Sequence, residues 1–142
     1  MARLIPVELE IADLIHAVNR RIRVAANQDL GPLGITPAQA RALRVLHRAG
    51  GRMQMSELAE RLRIARRSTT SVVDELVARG LVARSDDPTD RRAVLVAPTD
   101  AGAALLGQLS RRRLAAAQQV MEALTESDLA TLRSLLQRLD RG

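Results

Sequence analysis

The segment DPTDRRAVLVAP, Asp87–Pro98, constrains the fold of this chain more than any other stretch. Asp86, Asp87, Pro88 and Asp90 are turn formers. Proline presets φ for a turn, and an aspartate side chain can bond to backbone two residues on. LVARS precedes the turn and AVLVA follows it. Two short strands around a polar turn predict an antiparallel hairpin. Its tip carries Arg91 and Arg92 side by side. A solvated hairpin needs only turn formers, so paired arginines point to a tip that touches something anionic.

Most of the remaining chain reads as helix. In Val7–Ala26, Leu9, Ala12, Ile15, Val18 and Ile22 recur at three- and four-residue steps, a helical period. The stretch DLGPLGI, Asp29–Ile35, breaks it with two glycines and a proline. Thr36 is placed to cap a second helix with Pro37 at its first position, and Gly50 ends it. Arg52–Met55 alternates polar and apolar and predicts a short strand, with Met53 and Met55 in the core. SELAERL, Ser56–Leu62, predicts a third helix. Leu62, Ile64, Thr69, Val72, Val73 and Leu76 then set one inward face up to the stop at Gly80. A long helix opens at Thr99 or Asp100 and runs to about Ala123. Thr125 and Asp128 resemble a capping box ahead of a last helix carrying Leu129, Leu132, Leu135, Leu136 and Leu139.

The predicted order is helix, helix–strand–helix–helix–hairpin, then two helices. That is a mostly α fold with a small β-hairpin wing, a winged helix-turn-helix flanked by terminal helices. Residues 1–35 form an N-terminal dimerisation helix and linker, 36–98 the winged domain, and 99–142 C-terminal dimerisation helices. The outer helices are too rich in leucine and alanine to stand exposed. They either cover the winged domain or pair with a second chain.

Charge narrows the partner. The net charge is +6, and all 22 basic residues are arginine. Arginine suits bidentate phosphate and guanine contacts better than lysine does. A GC-rich genome explains the same choice more simply. The location of the charge says more than its total. Residues 36–92 hold 12 arginines against 7 acids, whereas the rest of the chain is nearly balanced. There are no aromatic residues, so stacking on unpaired bases is not available, which weighs against single strands and RNA loops.

SELAERLRIARRSTTSVVDELVARG has helix-turn-helix spacing, in which the second helix enters a major groove. Its outward face holds Arg66, Arg67, Ser68, Thr70 and Ser71 in the first two turns. Arginine can fork onto guanine O6 and N7, and hydroxyls reach phosphate or base. An ordinary solvated face accounts for the same pattern. At the hairpin, Arg91 or Arg92 would enter a minor groove, where negative potential is enhanced. Asp90 would pair with one arginine and aim the other; the plain alternative is a surface ion pair of little worth.

Other chemistries find little support. The chain has no cysteine, which removes disulfides, thiolate catalysis and thiol redox sensing. No Ser–His–Asp pattern, phosphate-cradling loop or ligand cluster marks an enzyme. With His16 and His47 as its only histidines, the chain is not expected to bind a metal, nor any cofactor. No apolar run approaches the ~20 residues that span a bilayer. The first residues carry acids inside an apolar stretch and do not read as a signal peptide, so a cytoplasmic location is expected.

The chain also resembles the MarR family of bacterial winged helix-turn-helix transcription regulators. The resemblance rests on Leu33–Leu46, Ser56–Leu62, Val72–Arg84 and Asp87–Gly102, and with the flanking helices it covers nearly the whole chain. Its most specific part is D-x-x-D-R-R followed by a strand and T-x-x-G. The resemblance implies an obligate homodimer with interlocking first and last helices. It implies a near-palindromic double-stranded DNA operator, and repression relieved by a small, often phenolic, ligand. By position, Arg66 to Ser71 would read the major groove, Arg91 or Arg92 the minor groove, and Asp90 would be the brace.

Three positions depart from the family pattern. Ala65 stands where a capping serine is common, Arg63 where a turn glycine is common, and Pro98 at the end of the wing strand. The lack of aromatics makes a stacked phenolic pocket harder to build. An aromatic or acidic effector would be held by His16, Arg20 and Arg23 of the first helix, although a polar contact at the dimer base accounts for His16 as well. Arg111, Arg112 and Arg113 would touch phosphate, pair with acids of a partner chain, or face solvent. The remaining alternative for the whole chain is a winged-helix module for non-specific DNA packing or protein contacts, since fold does not fix function.

Overall fold

A computed structural model describes residues 5–28 and 30–142. Residues 1–4, which open the expected N-terminal segment, and Asp29, at the head of the expected break, lie outside the described residues. The chain divides into two compact units, one spanning residues 27–111 and one drawn from residues up to 26 and from 112 onward.

The winged unit starts with a 3-10 turn, Gly31–Leu33. Helix α2, Pro37–Arg48, follows behind a complete capping box. The Thr36 hydroxyl accepts from the Gln39 N–H at 3.2 Å, and Gln39 Oε1 accepts from the Thr36 N–H at 3.1 Å. Strand β1 is Met53–Gln54, and α3, Met55–Leu62, begins at the next residue. The second helix of the helix-turn-helix is α4, Arg66–Ala78. Strands β2, Val82–Asp86, and β3, Val94–Pro98, form the wing.

The expected hairpin is part of a three-stranded antiparallel sheet of order β1-β3-β2. Met53 sits opposite Val96 on one side of β3, and Arg84 sits opposite Val96 on the other. Pro98 falls opposite Val82 at the end of the ladder, where a missing N–H costs least. Leu43, Leu46, Leu58, Leu62, Val73, Leu76 and Val96 fill the core without measurable exposure or nearly so. Met53 is buried and Met55 packs against the same core. Ile64 is not on the inward face; it lies in the turn before α4 and is 37% exposed.

The linker belongs with this unit rather than with a dimerisation segment. Leu30 and Ile35 are buried in the winged core, and so are Leu105, Leu106 and Leu109 from the first half of α5, Asp100–Val120. A core of this small size gains from every apolar side chain within reach, about 1.5–3 kcal/mol each on full burial.

The helical unit contains α1, Val7–Asn27, the end of α5, and α6, Glu126–Asp140. Helix α5 ends three residues before the expected Ala123, and Met121–Leu124 turns into α6 through the predicted Thr125–Asp128 capping box. Hydrogen bonds from the Thr125 N–H hold the Asp128 carboxyl below its usual range. Neither α1 nor α6 buries a single described residue. Ile15, Met121, Leu129, Leu132 and Leu136 line an open apolar cleft of about 750 Å³ in this unit. Among the described residues no helix is long and apolar enough to cross a membrane.

Candidate nucleic-acid interface

The turn before α4 is held from two directions. Arg63 takes the left-handed conformation, φ 54° and ψ 40°, which ends α3 sharply. A side chain there costs about 1–2 kcal/mol relative to glycine's freedom. From α2, Arg41 Nη1 donates to the Leu62 carbonyl at 2.7 Å and satisfies an orphan group at the end of α3. Helix α4 then starts at Ala65 with no side-chain cap.

Helix α4 buries Thr69, Val73 and Leu76 and turns the opposite face out. Thr69 is buried because its hydroxyl is satisfied locally, donating to the Ala65 carbonyl at 3.2 Å. Arg66, Arg67, Ser68, Thr70 and Ser71 are all exposed. Two carboxylates farther along fix the helix in place. Asp74 pairs with Arg84 of β2, and Glu75 accepts a hydrogen bond from the buried Gln39 amide of α2. The sequence pointed to Thr36 as a cap but not to Gln39, whose amide reaches a residue 36 positions away.

The wing tip is a pair of aspartate-nucleated turns. Asp87 Oδ1 accepts from the Thr89 N–H at 2.9 Å and from its hydroxyl at 2.8 Å. Asp90 Oδ1 accepts from the Arg92 N–H at 3.0 Å, and the Asp90 carbonyl accepts from Ala93. The expected pairing of Asp90 with an arginine side chain is not formed among the described residues. A carboxylate two residues before a backbone N–H reaches it in a closed local ring, which leaves both guanidinium groups of Arg91 and Arg92 exposed. Asp90 therefore shapes the loop through the backbone and does not aim a side chain.

Sequence reasoning gave Asp87 only a turn-forming role, yet it is the most connected carboxylate of the wing. Its Oδ2 also accepts from Gln54 Nε2 at 2.8 Å, across to β1. The Thr89 backbone N–H, then the Gln54 amide and the Thr89 hydroxyl, hold its pKa down to about 2.

The T-x-x-G segment supports the base of the wing. Thr99 accepts from the Gly102 N–H at 3.2 Å, capping α5, and its own N–H donates to the Leu81 carbonyl at 3.0 Å. Gly102 is needed for close approach. A Cβ there would lie 2.0 Å from the Leu81 carbonyl oxygen, just before β2 begins.

Helices α3 and α4 and the wing border a concavity of about 460 Å³, lined among others by Arg66, Thr70, Arg84, Asp90 and Arg92. It brings Arg66 and Thr70 of the recognition face together with Asp90 and Arg92 of the wing. Arg67, Ser68, Ser71 and Arg91 are exposed but outside that lining. The three expected effector residues share one face of α1: His16, Arg20 and Arg23 are exposed, and the apolar cleft of the helical unit is lined by Ile15 instead. Of the arginine run, Arg111 and Arg113 are exposed and Arg112 is half-buried. No group of three or more His, Cys, Asp or Glu able to hold a metal occurs among the described residues.

Comparison with known proteins places this geometry. A family model described as MarR family matches residues 33–93, from the start of the helix-turn-helix support to the wing. The chain is 34% identical over 134 residues to the multiple antibiotic resistance protein MarR of Escherichia coli, covering 92% of this chain and 91% of that protein. The chain belongs to the MarR family. A solved structure of the multiple antibiotic resistance repressor MarR superposes with a TM-score of 0.84 at 33% identity, covering 96% of each chain. A mutant E. coli MarR complexed with operator DNA superposes at 0.72 and 32% identity, covering 97% of this chain and 99% of that one. The MarR fold thus accounts for the sheet order and for the position of both arginine-bearing elements.

Proposed function

We propose that this chain is a sequence-specific, double-stranded DNA-binding transcriptional repressor that acts as a homodimer in the cytoplasm on a near-palindromic operator. One observation carries the reading. Arg66 and Thr70 on the exposed face of α4 and Arg92 of the wing line a single concavity. Such a pair of elements can engage adjacent grooves at once, α4 in the major groove and the wing in the minor groove. The operator-bound and repressor relatives support it. In this reading Arg66 and Arg67 read base edges, Ser68, Thr70 and Ser71 contact bases or phosphates, and Arg91 or Arg92 enters the minor groove. A small acidic or aromatic effector held near His16, Arg20 and Arg23 would relieve repression.

The test is selection from a random duplex library with purified protein at near-physiological salt. An enriched inverted repeat with half-sites about one helical turn apart is expected. Salt-sensitive binding with no enriched sequence would instead favour DNA packing or a protein-contact role.

A further inference from the structure

The hydrogen bonds of the wing tip differ in where they lead. Asp87 to Thr89, and Asp90 to Arg92, close rings within the tip. The Gln54–Asp87 bond leaves it, joining residues 33 positions apart. Gln54 is also the residue that heads α3, at its N-cap, and its side chain makes no capping bond there. Its amide is turned to the wing instead. The ladder runs out at the same place. Asp86 and Val94 are the last paired residues, and only the Asp87 N–H reaches back to the Ala93 carbonyl, at 3.3 Å. Beyond that point, among the described residues, the tip has two internal turns and one side-chain tie to the helix-turn-helix.

We propose that Gln54 and Asp87 form a clasp that sets the position of the wing arginines relative to the recognition helix, making both of them positioning residues for DNA binding. The proposal rests on the wing-and-helix reading above and adds a device to it. Without the clasp, Arg91 and Arg92 would ride on a loop free to swing about the end of the β2–β3 ladder. Minor-groove entry would then cost the ordering of that loop at each binding event. With it, the tip that carries the arginines is tied to the head of α3. A carboxylate accepting from a neutral amide is a charge-assisted bond, the stronger kind.

The geometry allows a reversal test. Q54E sets two carboxylates against each other and opens the clasp. Adding D87N restores it with the bond reversed, since the new amide can donate to the new carboxylate while its oxygen still accepts from Thr89. Hydroxyl-radical cleavage on the selected operator reports the minor groove, and methylation of guanine N7 reports the major groove. Q54E is expected to lose minor-groove protection, keep major-groove protection, and bind roughly tenfold more weakly, the scale of one charge-assisted bond. Q54E/D87N is expected to recover both protection and affinity. In the DNA-free protein, the amide resonances of residues 87–93 should shift in Q54E and return in the double variant. If Q54E does not fold, Q54A removes the donor without adding charge and carries the same expectation for the groove probes. Full minor-groove protection in Q54E, or no recovery in the double variant, overturns the clasp. R91A/R92A separates this from the underlying reading. If R91A/R92A also keeps full minor-groove protection, the wing does not enter that groove, and the positioning role falls with it. If R91A/R92A loses protection while Q54E keeps it, only the clasp is overturned.

Discussion

Arg63 is the one described non-glycine residue with a positive φ, and that strain is a property of a single residue. R63G would remove about 1–2 kcal/mol of left-handed strain and add ~0.4–1 kcal/mol of chain entropy to the unfolded state. A net gain of roughly 0.5–1 kcal/mol is expected in denaturant unfolding. Gly102 has the opposite sign. Its Cβ would strike backbone, the Leu81 carbonyl, so G102A should lower stability by about 2–3 kcal/mol, read from the same unfolding midpoint. Asp87 adds a pH dependence. Its folded value of about 2 lies below the ordinary 3.8, so the native state binds fewer protons than the unfolded one in that interval. The stabilisation is complete above 3.8 and is lost as pH falls toward about 2. Carboxyl resonances followed by pH titration should place the Asp87 midpoint near the bottom of that range, and Q54A should raise it part of the way back, because the Thr89 bonds remain.

At the scale of elements, α4 and the wing should fail differently. R66A or R67A should cost ~1–3 kcal/mol on the selected operator and flatten the preference over a scrambled duplex, as expected for lost base contacts. R91A or R92A should weaken both duplexes alike and lower the salt slope by about one for each phosphate contact removed. Titrations on both duplexes over a salt series decide this; equal losses from all four variants would end the division of labour. The elements themselves were largely legible in the sequence because their signals are local. Helical periodicity, Thr36 as an N-cap, the Thr125–Asp128 capping box and the turn formers of the wing all act within four residues. The misses are tertiary or concern side-chain direction. The pairing of β1 with β3 joins Met53 to Val96, and no local pattern encodes it. Gln39–Glu75 and Gln54–Asp87 are likewise long-range. Asp90 was expected to pair with an arginine side chain, and its carboxylate instead accepts from a backbone N–H two residues on. The T-x-x-G segment was recognisable as a motif, but its reason, a carbonyl where a Cβ would sit, exists only in the fold.

At the scale of the whole molecule, the terminal helices carry much exposed apolar surface. Leu132, Leu135, Leu136 and Leu139 of α6 are at least a third exposed, and so are Leu9, Ile11, Leu14 and Ile15 of α1. Apolar surface in this quantity, lining a cleft and carried on the first and last helices, marks an association site rather than a set of scattered surface residues. A second copy supplies the matching surface by symmetry: in a two-fold interface the same patch meets itself, and each side chain covered counts twice. L132E and L136E together would remove four leucines from such an interface. At roughly 1 kcal/mol for each half-exposed leucine, the loss is about 4 kcal/mol, close to a thousandfold in dissociation constant. Sedimentation equilibrium should therefore find the double variant monomeric at concentrations where the parent is dimeric. The winged unit, whose core uses neither α1 nor α6, should keep its fold in that variant. DNA binding then separates the two levels of the molecule. A monomer should retain weak affinity for an isolated half-site and lose the advantage of the inverted repeat, since linkage between two winged units, not any new contact, provides it. A monomeric variant that still prefers the full repeat would show that each unit reads its site alone. Loss of half-site binding as well would mean that the terminal helices support the fold of the winged unit and not only its pairing.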